Sequence, residues 1–247
     1  MIFTFPNDPN GTNETLFQNT KLELSPGITV LVGCNGSGKS TQFKLLTARL
    51  QADGVDFRTM VFPQYSEPSS ALIRMYLGGE FGTKPSDVNA YAASTFYAVD
   101  RYASYQKIWK DYYRQGGLML SDRYTTSNAV HQASKEPAER REEFFHWLQD
   151  FEYNRLELPK PDLVLYLDVP TELTDVMLRK RETRTHTHAD IHEQNMDYLR
   201  QCREGGMDGR RHYGWSIIHC AKDGKMRTID DIHAEIYALV NRCLEEA

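Results

Sequence analysis

A glycine-rich segment, GCNGSGKS from Gly33 to Ser40, fits the pattern G-x-x-x-x-G-K-[ST] at every fixed position. Glycines at these places let backbone N–H groups turn inward around the oxygens of a phosphate chain. Lys39 can then reach the β- and γ-phosphates, and the Ser40 hydroxyl can ligate Mg²⁺. The pattern predicts a nucleoside triphosphate site formed by Gly33, Asn35, Gly36, Ser37, Gly38, Lys39, Ser40 and Thr41.

A second polar position follows a short apolar segment, residues 118–120. Asp122 lies where this predicted strand ends, and α/β sheets bind ligands at the carboxyl ends of their strands. A carboxylate there can hold Mg²⁺ beside Ser40, although a loop or helix cap is the alternative interpretation. The predicted metal ligands are therefore Ser40 and Asp122.

The elements that would position these residues alternate between strands and helices. The β-branched run 28–32 directly precedes the glycine loop, and apolar residues at helical spacing follow it. The predicted strands are 28–32, 55–62, 118–120, 163–167 and 216–218. The predicted helices are 40–50, 88–114 with Ser86 or Asp87 as its cap, 142–155, 171–181, about 191–203, and 228–245. This alternation predicts one α/β domain with a parallel sheet and helices on both faces, preceded by an arm or hairpin at 1–20.

Composition excludes several classes of protein. The chain has 247 residues, 40% of them hydrophobic, which is ordinary for a single α/β domain. Its net charge of −5 argues against a broad nucleic-acid surface. The four cysteines have neither zinc-site spacing nor disulfide density, which predicts a reducing, cytoplasmic location. With no apolar run near ~18 residues and no signal-peptide pattern, we expect no membrane segment.

Several segments resemble the thymidylate kinase family, and they occur in the family's order. They are Phe62-Pro-Gln-Tyr65, Tyr97-Ala-Val-Asp-Arg101, Ser121-Asp-Arg-Tyr-Thr-Thr-Ser-Asn-Ala-Val-His-Gln132, Pro161-Asp-Leu-Val-Leu-Tyr-Leu-Asp-Val-Pro170 and Asp190-Ile-His-Glu193. The resemblance covers about 32–245 and implies a P-loop kinase fold: a five-stranded parallel sheet and a mobile lid at about 179–195, in one domain over 1–247. It implies phosphoryl transfer from ATP, with Mg²⁺, to a deoxynucleoside 5′-monophosphate, foremost dTMP. The family is commonly dimeric, so a homodimer is an expectation.

The resemblance also assigns an acceptor site, formed by Tyr65, Tyr97, Arg101, Arg123, Asn128, His131 and Gln132. It implies that Arg123 clamps the acceptor phosphate with its guanidinium fork. It further implies that Tyr97 stacks on the base while Arg101 and Asn128 bond its edge; Tyr65 is a candidate sugar contact. From residue types alone, packing within an aromatic-rich helix is the favoured interpretation of Tyr97, and a surface ion pair is the less favoured alternative for Arg123.

The basic segment 180–184, KRETR, coincides with the family's lid, where arginines neutralise charge on the transferring phosphoryl group. Some family members carry this charge in the phosphate loop, at the position that is Gly36 here. A basic run is otherwise typical of a solvated face. The resemblance implies that the catalytic residues are Lys39, Arg123, Arg181 and Arg184.

The chain departs from the family pattern at Val32, Asn35, Gln64 and His131, where glutamate, an acidic residue, arginine and tyrosine are usual. These departures leave the acceptor open, and another pyrimidine deoxynucleotide, including a modified one, is the alternative.

A P-loop ATPase or switch in DNA metabolism is a further alternative. Residues 21–40 resemble the start of transporter-type and chromosome-maintenance ATPases, but the LSGGQ-type motif and the acidic pair of those families are missing. A metal site at His186, His188 and His192 is disfavoured because the segment is basic and predicted to be exposed.

Overall fold

The structure, a computed structural model, describes residues 27–185 and 196–246. Its central sheet has five parallel strands in the spatial order β2-β3-β1-β4-β5. They are β1 (Gly27–Val32), β2 (Phe57–Val61), β3 (Leu118–Asp122), β4 (Leu163–Asp168) and β5 (Ser216–His219). Each predicted strand is found to within two residues at either end, and the predicted parallel sheet is confirmed.

The helices of the described residues lie between and after these strands. They are α1 (Lys39–Ala52), α2 (Ala71–Leu77), α3 (Ala90–Ser104), α4 (Lys110–Arg114), α5 (Thr125–His131), α6 (Arg141–Gln149), α7 (Thr171–Thr185), α8 (Met196–Tyr213) and α9 (Ile229–Glu246). The short helices α2 and α5 were not predicted. Neither was the antiparallel hairpin of β6 (Ala221–Lys222) and β7 (Lys225–Met226).

Helices cover both faces of the sheet, as predicted. Ile28, Val30 and Val32 of β1 pack into one core with residues of α3, α5, α6 and α8. Leu31 points to the opposite face and packs with residues of α1 and α9. A strand buried on both faces has the nearly continuous apolar sequence that made β1 recognisable.

Two long predicted helices contain π-helical segments. The helix predicted over 88–114 is interrupted at Tyr105–Trp109, and the one predicted over 142–155 ends in the segment Asp150–Arg155. A π turn bonds residue i to residue i+5 and therefore shifts the direction of the side chains around it. Because of this shift, side chains in and after each π-helical segment point in directions that a regular helix would not give them.

The cap of α3 also differs from the prediction. Asn89 caps the helix, because its side-chain oxygen accepts from the N–H of Ala92 at 2.8 Å. Asp87 instead accepts from the N–H of Lys84 at 2.9 Å and closes a short turn of its own before the helix. The predicted caps, Ser86 and Asp87, were therefore wrong.

None of the helices in residues 27–185 and 196–246 has the length and apolar character that crossing a membrane requires. The predicted arm at 1–20 and most of the predicted lid lie outside the described residues. The single domain over 1–247 stays a prediction.

Candidate active site

The phosphate loop begins where β1 ends, at the crevice between β1 and its neighbour β3. From β1 the chain continues to β2 on one side of the crevice, and from β3 it continues to β4 on the other. Such a switch point is where open α/β sheets bind ligands. Leu31 pairs in register with Asp122, which brings the end of β3 beside the loop.

The phosphate loop closes tightly around a buried lysine. A Cβ atom on Gly33 would lie 2.8 Å from the carbonyl oxygen of Leu167, so only glycine fits there. The buried ammonium group of Lys39 donates to the carbonyl oxygens of Gly33 at 2.9 Å and of Cys34 at 2.8 Å. This cation lies at the N-terminus of α1, which itself attracts anions. The eight predicted phosphate-contacting residues all lie on this loop or in the first turn of α1.

Ser40 and Asp122, the predicted metal ligands, are adjacent. The Ser40 hydroxyl donates to Asp122 Oδ2 at 3.4 Å. The other carboxylate oxygen, Asp122 Oδ1, is buried and has no hydrogen-bond partner among the described residues. An unsatisfied buried oxygen costs free energy, and hydroxyl and carboxylate oxygens are ligands that Mg²⁺ prefers. This pair fits a Mg²⁺ ion.

A cavity of about 330 Å³ opens beside the phosphate loop, a size suited to a small ligand. The segments after β2 and β3 enclose it together with α2, α3, α5 and α8. Burial raises the pKa of its wall residue Tyr76 to about 12. The structure brings all seven predicted acceptor-site residues to this cavity: Tyr65, Tyr97, Arg101, Arg123, Asn128, His131 and Gln132.

Arg123 lies at the boundary between the phosphate loop and the cavity. Its φ of 69° is a left-handed conformation, which costs free energy for any residue with a side chain. The guanidinium group donates from Nη2 to Asn35 Oδ1 at 2.6 Å and from Nη1 to His131 Nε2 at 3.1 Å. Because Nε2 accepts, the imidazole proton is on Nδ1, which faces the Cys202 sulfur at 3.6 Å. Arg123 is thus held from two sides.

Glu152 organises the far end of the cavity. Arg101 donates to both of its carboxylate oxygens, from Nε at 2.8 Å and from Nη2 at 2.5 Å, and both side chains are buried. The Asn128 amide nitrogen donates to Glu152 Oε1 at 3.0 Å and to the carbonyl oxygen of Ser94 at 3.2 Å. Since both neighbours accept, the amide presents its oxygen to a ligand. Both donations from this amide are therefore made to the protein.

Comparison with known proteins decides the family. The sequence model described as thymidylate kinase matches residues 31–236, which include the phosphate loop and every residue lining the cavity. The chain belongs to the thymidylate kinase family. It is therefore an enzyme of the nucleoside monophosphate kinase class.

Similar thymidylate kinases occur in distant organisms. That of Mycobacterium tuberculosis is 33% identical over 158 residues, which cover 64% of this chain and 72% of the relative. A probable thymidylate kinase of Thermococcus kodakarensis is 28% identical over 221 residues, covering 88% and 98%. The Homo sapiens thymidylate kinase is 30% identical over 152 residues, covering 62% and 64%. Membership in the thymidylate kinase family favours the kinase over the P-loop ATPase and switch alternatives.

The thymidylate kinase lid was predicted to supply catalytic arginines. Arg181 and Arg184 fall on α7, but their side chains lie outside the described residues, as do His186, His188 and His192. A Cβ atom on Gly36, whose φ is 80°, would lie 2.9 Å from the Leu178 side chain on α7. A side chain at position 36 would therefore require Leu178 to move and would also be strained by the left-handed backbone.

Two buried acids of the chain were not predicted to contribute to the site. Asp100 accepts from the N–H of Gln64 at 2.8 Å and from the Ser69 hydroxyl at 2.6 Å, and so holds the segment that carries Tyr65. Glu152 is the second. The sequence does contain a signal for Glu152. Phe144, Leu148 and Glu152 recur at a spacing of four, so an acidic residue interrupts an otherwise apolar helix face.

Proposed function

We propose that the chain transfers the terminal phosphoryl group of ATP to the phosphate of dTMP, giving ADP and dTDP. The observation that carries this proposal is the contact between Asn35 of the phosphate loop and Arg123 of the cavity. It joins a loop suited to a triphosphate to a pocket suited to a mononucleotide, so the guanidinium group that would bind the acceptor phosphate lies directly beside the donor loop. Family membership and the names of the relatives support the same substrates.

The nucleophile in this reaction is an oxygen of the acceptor phosphate, which is already ionised, so no strong general base is needed. Catalysis then depends on in-line positioning and on neutralising the charge of the transferring group. Lys39 neutralises charge from the loop and Arg123 from the acceptor side. Ser40 and Asp122 would hold Mg²⁺, which supplies further positive charge at the donor phosphates. The catalytic roles of Arg181 and Arg184 are part of this proposal and rest on the family resemblance.

The far end of the cavity suits thymine. The Asn128 oxygen can accept from the ring N3–H, and Nη1 of Arg101, the nitrogen that does not bond Glu152, can donate to a ring carbonyl. The aromatic ring of Tyr97 lines the cavity and offers a stacking face, and Gln132 adds a second amide.

The departures from the family pattern at positions 35 and 131 do not favour a different base. Both Asn35 and His131 contact Arg123, so they lie at the phosphate end of the cavity. We infer that they substitute for the usual residues in holding Arg123, and that recognition of the base is unaffected.

An ADP-release assay across a panel of nucleoside monophosphates tests the function. We expect dTMP to be the preferred acceptor, with turnover in the kinase range of ~1–100 s⁻¹. A preference for another pyrimidine deoxynucleotide would overturn the acceptor but not the mechanism. ATP hydrolysis that DNA stimulates and no monophosphate changes would overturn the kinase itself. A cytoplasmic location and a homodimer stay predictions.

Arg123→Ala should lower kcat/KM for dTMP by about 10²-fold or more, while KM for ATP changes by only a few-fold. The reason is that the guanidinium group would bind only the acceptor phosphate, through charge-assisted bonds in a confined site. Steady-state kinetics with each substrate varied in turn measures this, with the exposed Arg114→Ala as the matched control. An equal loss of ATP affinity would assign Arg123 to the donor site or to the fold.

Asn35→Ala should raise KM for dTMP by about tenfold, because a hydrogen bond to a charged group contributes about 1.5–3 kcal/mol and Arg123 would lose one of its two supports. Asn35→Asp keeps an oxygen that can accept from the guanidinium, so its KM should stay within a few-fold of the wild type. If both variants behave alike, the contact between Asn35 and Arg123 does not position the arginine.

A further inference from the structure

Two helices bring together three side chains that could ligate a metal ion, away from the proposed active site. Glu142 and His146 lie one turn apart on α6, and His212 lies in the last turn of α8. One ligand atom from each lies within 4.8 Å of the other two. In the ranges 27–185 and 196–246 no other trio of histidine, cysteine or acidic side chains meets this condition, and none of the three lines the acceptor cavity.

Apolar packing between α6 and α8 fixes the positions of these side chains. The ring of Phe145, between Glu142 and His146 in sequence, packs on His212 and on Tyr213 at centroid distances of 5.4 and 5.6 Å. The Tyr213 hydroxyl also donates to the carbonyl oxygen of Phe145 at 2.8 Å. As a result the imidazole rings of His146 and His212 meet edge to face, with centroids 4.6 Å apart. The two helices therefore present both rings together before any ion binds.

The charges around the trio do not oppose a cation. The two basic side chains that line the same surface pocket as Glu142 and His212, Arg141 and Arg211, both pair with Asp208, and Arg141 also lies 3.8 Å from Glu204. Glu142 faces Nε2 of His146 at 3.9 Å and adds a negative charge at the trio itself. Acidic groups thus balance the arginines, and the Glu142 carboxylate would act as the charged ligand.

We propose that Glu142, His146 and His212 bind a divalent transition-metal ion of the Zn²⁺ or Ni²⁺ type. Two imidazole nitrogens and one carboxylate oxygen form a donor set that suits these ions, whereas Mg²⁺ prefers oxygen ligands alone. Metal–ligand distances of about 2.0–2.2 Å require the ligand atoms to approach to about 3.3 Å. Rotation of the exposed Glu142 and His146 side chains can supply this movement. The bound ion would join α6 to α8.

Isothermal titration of the untagged chain with ZnCl₂, and separately with NiCl₂, tests the site. His146 is well exposed, so His146→Ala should fold normally. We expect one equivalent of Zn²⁺ to bind at this site in the wild type and the affinity to fall by about 100-fold or more in His146→Ala, since loss of an outer-shell partner alone costs 10–100-fold. His212→Ala and Glu142→Gln should weaken binding in the same way.

The matched control is the triple variant His186→Ala/His188→Ala/His192→Ala, which removes the other histidine-rich segment of the chain. It should keep the Zn²⁺ site, and a tenfold excess of MgCl₂ should leave Zn²⁺ bound. Zn²⁺ should also raise the melting temperature of the wild type and of the triple variant but not that of His146→Ala. The proposal is overturned if the wild type binds neither ion, or if His146→Ala binds as the wild type does. Binding that only the triple variant loses would overturn it as well.

Discussion

Replacement of Lys39 by alanine is expected to lower kcat by at least ~10³-fold, the largest catalytic effect that any single substitution should have here. The ammonium group is buried against the carbonyl oxygens of Gly33 and Cys34, and it would lie over the β- and γ-phosphates of a bound triphosphate. In a site that excludes water, the loss of one positive charge facing the transition state costs roughly 4 kcal/mol, which corresponds to about 10³-fold in rate. Single-turnover ADP formation with saturating dTMP measures the effect.

Two further variants separate chemistry from folding at this position. Lys39→Met keeps most of the side-chain volume and should be as inactive as Lys39→Ala. Lys44→Ala, on the exposed side of the same helix, should stay within about twofold of the wild type. If folded Lys39→Met retained full activity, the phosphate-loop mechanism would have to be abandoned.

Glu152→Gln is expected to reduce the free energy of unfolding by about 3–5 kcal/mol, although it changes only one atom. The substitution leaves the Arg101 charge buried without its counter-ion, and breaking a buried pair from one side has this cost. For a chain of this size the melting temperature should fall by roughly 10 °C. Thermal and urea unfolding both measure the loss, and Glu143→Gln, exposed on α6, is the matched control.

The double variant Arg101→Leu/Glu152→Leu distinguishes stability from recognition. Removing both charges together restores much of the stability, because no unpaired charge remains in the interior. Binding of dTMP should nevertheless stay weak, since both Arg101 and the carboxylate that orients Asn128 are gone. A stable double variant that binds dTMP normally would show that this pair serves the fold alone.

The sheet could be predicted because each of its strands can be recognised from its own residues. Runs such as 28–32 and 163–167 are apolar at nearly every position, since helices cover both faces of the sheet. Caps were harder, because several residues before α3 can cap a helix and tertiary packing selects among them. Asp87 is a good capping residue by type, yet its carboxylate bonds the N–H of Lys84, and Asn89 caps α3 instead.

The candidate site could be predicted as a set of residues but not as a set of contacts. The phosphate-loop pattern and the resemblance identified Asn35 and the seven acceptor-site residues, and all of these residues line the cavity. The hydrogen-bond partners within the site could not be predicted, because they are far apart in the sequence. Asn35, for example, accepts from Arg123, which lies 88 positions away. The sequence marks Glu152 as an acid on an apolar helix face, but its partners Arg101 and Asn128 are determined only by the fold. Such long-range partners are determined by packing, not by local spacing.

Glu152 reaches Arg101 and Asn128 from the π-helical segment Asp150–Arg155, where the N–H of Leu156 bonds to the carbonyl oxygen of Phe151, five residues before it. Such a segment holds one residue more than a regular helical turn, and the position of Glu152 depends on that extra residue. Regular α-helical winding over the same residues would turn the Glu152 side chain to a different direction relative to Arg101, with every cavity residue unchanged. Residues that decide whether the segment Asp150–Arg155 winds as a π-helix or as a regular helix can therefore alter substrate preference, and a comparison of cavity residues alone would miss them.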